Sequence, residues 1–183
     1  MKSRKTTLLN AAGSLLAASM PCCLPAAQDA GPDSFVALYS TTCMKYYNSA
    51  EKLRATMKEG GMTELTGAGS AFFLARQTGI AWRVPIEGES YVVALRQDGI
   101  CTVFAEHAAI ETVRKDFTKL VSKATPPVQA VSLPGGPSGT AVQTITYAWT
   151  RPADDEQLVF TLTTTTDPKA PTQAMATVAL TAK

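Results

Sequence analysis

Apolar side chains recur at helical spacing between residues 33 and 59. Asp33 or Ser34 is suited to cap the start of a helix there, and Gly60-Gly61 is suited to end it. Steps of three and four place residues on one helical face, and the apolar face consists of Phe35, Tyr39, Cys43, Tyr46, Ala50, Leu53 and Met57. The pattern predicts one long helix with Cys43 directed toward the core.

Alternation replaces the helical spacing between residues 91 and 105. Two β-rich runs, 91–96 and 100–105, flank an Asp98-Gly99 turn. Asp-Gly between two such runs is typical of a two-residue hairpin turn. The sequence therefore predicts an antiparallel hairpin with Cys101 near the start of its second strand.

Weaker patterns flank this hairpin. A short helical turn is predicted over 71–77, followed by an extended segment over 81–84. Pro85 lacks a backbone N–H, which limits that segment to an edge or an end of a sheet. After the hairpin, helical spacing predicts a second main helix over about 108–123.

In the C-terminal part of the chain, the Pro- and Gly-rich segment 125–139 predicts a long loop. Three strands are predicted after it, at about 141–151, 157–166 and 173–182. Short turns between strands require antiparallel pairing. We therefore expect an α+β fold. It would contain an antiparallel sheet of five to six strands with two main helices packed on one face, in the order helix, strands, helix, three strands.

The N-terminus has the pattern of a secretory signal peptide. Residues 8–20 form an uncharged apolar stretch, and basic residues precede it at Lys2, Arg4 and Lys5. The stretch is shorter than the roughly 20 apolar residues that cross a bilayer. Cleavage after Ala26 or Ala27 would give a signal peptide, 1–27, and one globular domain, 28–183. A buried N-terminal helix is the alternative, but the segment lacks a polar face.

Two cysteines near the cleavage site raise the question of whether the mature protein is lipid-anchored or freely soluble. A lipoprotein carries a cysteine at that site after small residues, whereas Met20-Pro21 precedes Cys22 and Cys23 here. We expect a freely soluble mature form in the periplasm, with contact to the membrane only if a lipid is attached through Cys22 or Cys23.

Removal of the signal changes the charge. The chain has 17 Lys+Arg and 15 Asp+Glu, and three of the basic residues but none of the acidic ones lie in the predicted signal. The domain that remains is close to neutral. A nucleic-acid-binding domain carries a basic patch or stripe, so we expect no nucleic-acid partner.

Cys43 and Cys101 are the cysteines left after cleavage. A cysteine pair in an oxidising compartment indicates a disulfide. Closing this loop would stabilise the fold by about 4 kcal/mol in the chain-entropy model. Two separate buried thiols are the alternative.

Candidate catalytic and metal-binding residues are few. His107 is the single histidine, and no serine stands in a Gly-x-Ser-x-Gly elbow. Zinc needs three or four converging ligands, and the acidic run 154–156 lacks the spacing of a calcium loop. We expect no catalytic residue, no metal and no cofactor. Pairs of carboxylates, such as Glu87 or Glu89 with another acid, leave glycosidase-type chemistry open.

Two groups of residues fit contact with a partner. Arg76, Trp82 and Arg83 belong to residue types that are frequent at interface hot spots, with a buried Trp82 as the alternative. Asp154 and Asp155 form the densest acidic turn. Threonines alternate along the last strands and predict one semi-polar sheet face, or simply a solvated one: Thr144, Thr146, Thr150, Thr161, Thr163, Thr165 and Thr177.

Several short motifs occur in a shared order: Cys43, Phe73-Leu74, Trp82, 98–104 and 173–177. In this order the chain resembles a group of small exported proteins and lipoproteins of proteobacteria. The resemblance implies the disulfide and an envelope location. It implies no catalytic residue.

These observations together predict an exported, non-enzymatic protein that binds another protein. A toxin, an envelope enzyme or a secretion component would be the partner, with the chain acting as an immunity protein, an inhibitor or an accessory. A small envelope enzyme or ligand-binding domain that uses carboxylates is the alternative. A purely structural envelope protein is a third possibility.

The disulfide is directly testable. Mass spectrometry of the non-reduced mature protein is expected to show one peptide pair joined through Cys43 and Cys101. Free thiols at both positions would contradict the pairing.

Overall fold

The computed structural model describes residues 33–136, 139 and 141–183, and antiparallel strands dominate them. The predicted signal peptide, including Cys22 and Cys23, lies outside the described residues. The strands are β1 (Thr63–Glu64), β2 (Gly79–Ile86), β3 (Glu89–Arg96), β4 (Cys101–Ala105), β5 (Gln129–Leu133), β6 (Val142–Thr150), β7 (Glu156–Thr165) and β8 (Ala174–Ala182). They form one eight-stranded sheet in the order β1-β2-β3-β4-β8-β7-β6-β5.

Four α-helices accompany the sheet in the described residues: α1 (Ser34–Tyr39), α2 (Ala50–Glu59), α3 (Gly67–Phe73) and α4 (Ile110–Val121). The expected fold, with five to six strands and two main helices, is therefore wrong. The hairpin of β3 and β4 and the three C-terminal strands occur as predicted. The missing elements are short ones, whose sequences carry too few residues for a clear periodicity.

The predicted long N-terminal helix is broken. α1 continues as a π-helical segment, Ser40–Met44, and a turn precedes α2. Ser40 and Thr41 donate hydroxyl hydrogen bonds back to the Ala37 carbonyl, at 2.9 and 2.8 Å. Such bonds compete with the helical ladder and bend helices. The apolar face survives the break, because all seven of its residues still contact the main core.

A strand occupies the segment predicted to be a loop. β5 pairs with β6 through the register Val131↔Ala148 and forms one edge of the sheet. Prolines and glycines flank its five residues, so the composition of the segment resembled a loop. Its strand conformation depends on β6, a tertiary contact that local composition does not record.

The main core lies between one sheet face and helices α1, α2 and α4. Its largest fully buried side chains include Tyr39, Phe35, Phe117 and Phe160. Cys43, in the π-helical segment, and Cys101, at the start of β4, lie in this core with their sulfur atoms 1.94 Å apart. This disulfide fits an oxidising compartment.

The opposite sheet face is covered only in part. α3 packs Phe73 and the following Leu74 over the β2–β4 region, against Ala81, Val92 and Phe104. The register places the seven predicted threonines on this same face, in β6, β7 and β8. The threonine face predicted from the sequence is confirmed.

Tyr39 joins α1 to the middle of the sheet. Its hydroxyl donates a hydrogen bond of 2.9 Å to the Thr177 carbonyl, and its side chain is fully buried. Burial raises the pKa of Tyr39 well above the ordinary tyrosine value. The neutral hydroxyl is therefore the form that the fold requires.

Replacing this hydroxyl tests the contact. Tyr39→Phe is expected to lower the free energy of unfolding by about 1 kcal/mol, measured by chemical denaturation with the disulfide intact. Tyr47→Phe is the matched control, because Tyr47 is exposed and its change should be within about 0.5 kcal/mol. Equal effects in the two variants would contradict the role of Tyr39.

Candidate functional site

A groove of about 760 Å³ lies at one end of the sheet. We call it the acidic groove. The turn before α2 contributes Tyr47 and Asn48, the β6–β7 connection contributes Asp154 and Asp155, and β8 contributes Leu180. Trp149, near the end of β6, and Glu156, at the start of β7, also line it. Three stretches of the chain that are distant in sequence therefore meet here.

Acidic side chains dominate the charge of the groove. Asp154 lies 3.9 Å from Arg151, and both side chains are about half exposed. An ion pair of this kind contributes little to stability. Asp155 and Glu156 take part in none of the ion pairs found among the described residues. Their charges are therefore available to a basic partner group.

Backbone contacts hold the acidic turn in place. The Lys183 ammonium donates hydrogen bonds to the carbonyls of Arg151 and Asp154. The backbone N–H of Lys183 donates to the Asp155 carbonyl at 3.0 Å. The turn is thus tied to the end of the neighbouring strand β8, which fixes the positions of the carboxylates relative to the sheet.

Apolar side chains lie beside these acids. Leu180 and Tyr47 are 54% and 41% exposed, which is unusual for large apolar side chains in this chain. Trp149 also lines the groove and packs against the main core. Its indole N–H donates to the Val121 carbonyl at 2.7 Å, and its ring meets Phe160 edge to face at 4.8 Å. An apolar centre with a charged rim is the arrangement found at protein interfaces.

The other sequence-predicted contact residues lie elsewhere. Trp82 is only 4% exposed and belongs to the main core, so a partner cannot reach its ring. Strand alternation turns Trp82 inward, in agreement with the buried alternative for this residue, while Arg83 faces outward. Arg83 is exposed and donates to the Ser90 hydroxyl at 2.8 Å.

Arg76 follows α3 and is exposed, with a left-handed backbone conformation at φ 61°. It lies beside Phe72, a large exposed side chain. In the strand order, β3, β4 and β8 separate β2 from β7. The structure therefore does not bring Arg76 and Arg83 together with Asp154 and Asp155.

A second, smaller cavity of about 300 Å³ lies at the opposite end of β8. We call it the tyrosine pocket. It is lined by Asp33, Phe35, Glu89, Tyr91, His107 and Gln173, among others. Burial raises the pKa of Tyr91, and the carboxylates of Asp33, Glu89 and Glu87 raise it further. The Tyr91 hydroxyl therefore lies in a negative electrostatic environment.

Among the described residues, no group of three His, Cys, Asp or Glu side chains is placed to hold a metal ion. None of the helices described for this chain has the length and apolar character needed to cross a membrane.

Comparisons with protein families, curated proteins and solved structures find no match to this chain. The resemblance to small exported proteins of proteobacteria stays a prediction. The residues and the geometry of the two cavities therefore remain as the guides to function.

Sequence reasoning missed the apolar half of the acidic groove. Leu180 follows the alternation of β8 and falls on the core face, together with Val178 and Ala176. It is exposed only because the core does not extend to that end of the sheet. Tyr47 belongs to the break between α1 and α2, which the continuous helical pattern did not predict. The acidic run at 154–156 was the only signal of this site in the sequence.

Proposed function

We propose that this chain is an exported periplasmic protein that binds another protein, with the acidic groove as the contact surface. The carrying observation is that Asp155 and Glu156, which form no ion pair with described residues, lie beside the exposed apolar side chains of Leu180 and Tyr47. The buried Cys43–Cys101 disulfide and the signal-like N-terminus support the compartment.

The groove defines the chemistry of the partner. Carboxylates on the rim are complementary to Lys or Arg, and the apolar centre is complementary to an apolar or aromatic side chain. The partner would present a basic segment with at least one large apolar residue. A toxin, an envelope enzyme or a component of a secretion apparatus fits this description, and the chain would act on it as an immunity protein, an inhibitor or an accessory.

Export is tested by the mature N-terminus. When the full chain is expressed in a Gram-negative host, the protein is expected in the periplasmic fraction and to begin at Ala27 or Gln28, as read by N-terminal sequencing. Intact mass then distinguishes this form from a lipidated one beginning at Cys22 or Cys23. Full-length protein retained in the cytoplasm would contradict the export proposal.

Binding through the groove is tested by crosslinking in the native cells. A photoreactive amino acid replaces Tyr47 or Leu180, which both face the groove. The control position is Phe72, which is similarly exposed but lies on α3. We expect a crosslinked protein band from the two groove positions that the Phe72 position does not give. The same bands from all three positions, or none from the groove, would contradict the proposal.

Charge reversal then measures the acidic rim. The double variant Asp155→Lys with Glu156→Lys is expected to weaken binding of the crosslinked partner by about tenfold or more, because attraction becomes repulsion. Glu64→Lys is the control, since Glu64 is exposed on β1 at the opposite edge of the sheet. Unchanged affinity in the double variant, measured by calorimetry at low salt, would exclude the groove as the binding surface.

A further inference from the structure

The edge of the sheet formed by β5 lacks the features that usually protect such an edge. β5 pairs only with β6, so the backbone N–H and C=O groups on its outer side have no strand beside them among the described residues. Edge strands are usually protected by short length, charged side chains or proline. β5 has five residues, Gln129–Leu133, and its sequence QAVSL contains neither a charge nor a proline. Its outer side is therefore suited to pairing with another strand.

The opposite edge of the sheet, formed by β1, is protected. β1 has only two residues, Thr63 and Glu64, and both are exposed. Short length and a charged side chain are two of the means by which an edge strand avoids pairing with another chain. The contrast between the two edges identifies β5 as the side of the sheet to which a strand can be added.

Exposed apolar surface accompanies the β5 edge. Val131, at the centre of the strand, is 43% exposed. It lies opposite Ala148, which shares the threonine face with Thr146, and residues directly opposite each other point to the same face. Leu133, two residues further along β5, lies on this face as well. The added strand would therefore cover apolar side chains in addition to pairing its backbone.

A second copy of β5 fits this edge. In an antiparallel pair with a two-fold axis at Val131, this residue lies opposite its own counterpart in the second copy. Ala130 then lies opposite Ser132, and Gln129 lies opposite Leu133. All residues of β5 are paired in this register, and no like charges face each other, an arrangement that would destabilise the pair. A two-fold interface of this kind uses the same surface on both copies.

We propose that two copies of this chain associate through β5 and join their eight-stranded sheets edge to edge. Growth stops at two copies, because β1 then forms both outer edges, and β1 is short and charged. A single pair of short strands makes a small interface, so the dimer forms in a concentration-dependent way. The proposal does not depend on the function proposed for the acidic groove, whose carboxylates lie outside β5.

Charge at position 131 tests the pairing. The protein is purified with its disulfide intact, and its mass is measured by sedimentation equilibrium up to about 1 mM, where even a weak association is detected. We expect the unaltered protein to pass from monomer to dimer as its concentration rises. Val131→Lys and Val131→Glu each place like charges directly opposite each other, and each is expected to raise the dissociation constant by about fivefold or more.

Two results of this measurement would overturn the proposal. One is an unaltered protein that stays monomeric at every concentration or that forms oligomers larger than a dimer. The other is a dimer that both charged variants form as tightly as the unaltered protein.

Mixing the two charged variants distinguishes strand pairing from a general effect of charge on the fold. An equimolar mixture places a lysine side chain opposite a glutamate at the two-fold axis, and opposite charges in directly facing positions attract. The mixture is expected to form a heterodimer at least as stable as the unaltered dimer. A mixture that stays as dissociated as the separate variants would overturn the register centred on Val131.

Val142→Lys is the matched control. Val142 is a valine of similar exposure, 37%, on the same sheet face. It begins β6 and pairs with Thr165, whereas the last residue of β5 lies opposite Thr146. The variant is expected to dimerise as the unaltered protein does. Equal loss of the dimer from charges at 131 and at 142 would overturn the assignment to β5.

Crosslinking distinguishes a second copy from the strand of another protein. A photoreactive amino acid replaces Val131, and the purified protein is irradiated in the presence of a periplasmic extract at the concentration at which the unaltered protein is dimeric. We expect an adduct with twice the mass of the chain, which the same replacement at Val142 does not give. An adduct with another protein alone, or no adduct, would overturn the pairing of two copies.

Discussion

The pairing of β4 with β8 is the contact on which the rest of the structure depends. Residues 63–105 build one half of the sheet and residues 129–182 build the other, and this pairing alone joins the two halves. Three further contacts reinforce it from outside the ladder. The Cys43–Cys101 disulfide fixes β4, Tyr39 donates to the Thr177 carbonyl in β8, and the hydroxyls of Thr102 and Thr177 lie 3.1 Å apart. Long-range strand pairing carries a large loop-closure cost, and the N-terminal helix offsets it with two of these contacts.

Strand β8 of this pair also contributes to the position of both cavities. β8 runs through the centre of the sheet, with Gln173 just before its start in the tyrosine pocket and Leu180 near its end in the acidic groove. Each site therefore includes one end of a central strand, while Tyr47, Asp154 and Asp155 come from the loops beside it. Sites on such elements keep their geometry better than sites on loops.

The sequence predicted what depends on local periodicity and missed what depends on distant neighbours. The apolar face of the N-terminal helix, the β3–β4 hairpin and the threonine face were all recoverable, because each repeats at a fixed spacing. The π-helical segment and the break after Met44 were not, since the apolar spacing of the sequence continues across them. Neither was β5, which is extended only because β6 lies beside it. Among the site residues, Asp154 and Asp155 were visible as a charged run, whereas the position of Tyr91 beside Asp33 is set by a contact between α1 and β3.

The two cavities differ in how they arrange apolar and charged groups. In the acidic groove, exposed Leu180 and Tyr47 lie beside carboxylates that are open to water, so a ligand must itself bring a sizeable surface to exclude that water. In the tyrosine pocket, the Tyr91 ring is almost wholly covered, and burial together with the nearby carboxylates of Asp33, Glu89 and Glu87 raises the pKa of its hydroxyl. Charged interactions strengthen as water is excluded, so the carboxylates of the acidic groove would interact most strongly with a partner surface that also covers Leu180 and Tyr47.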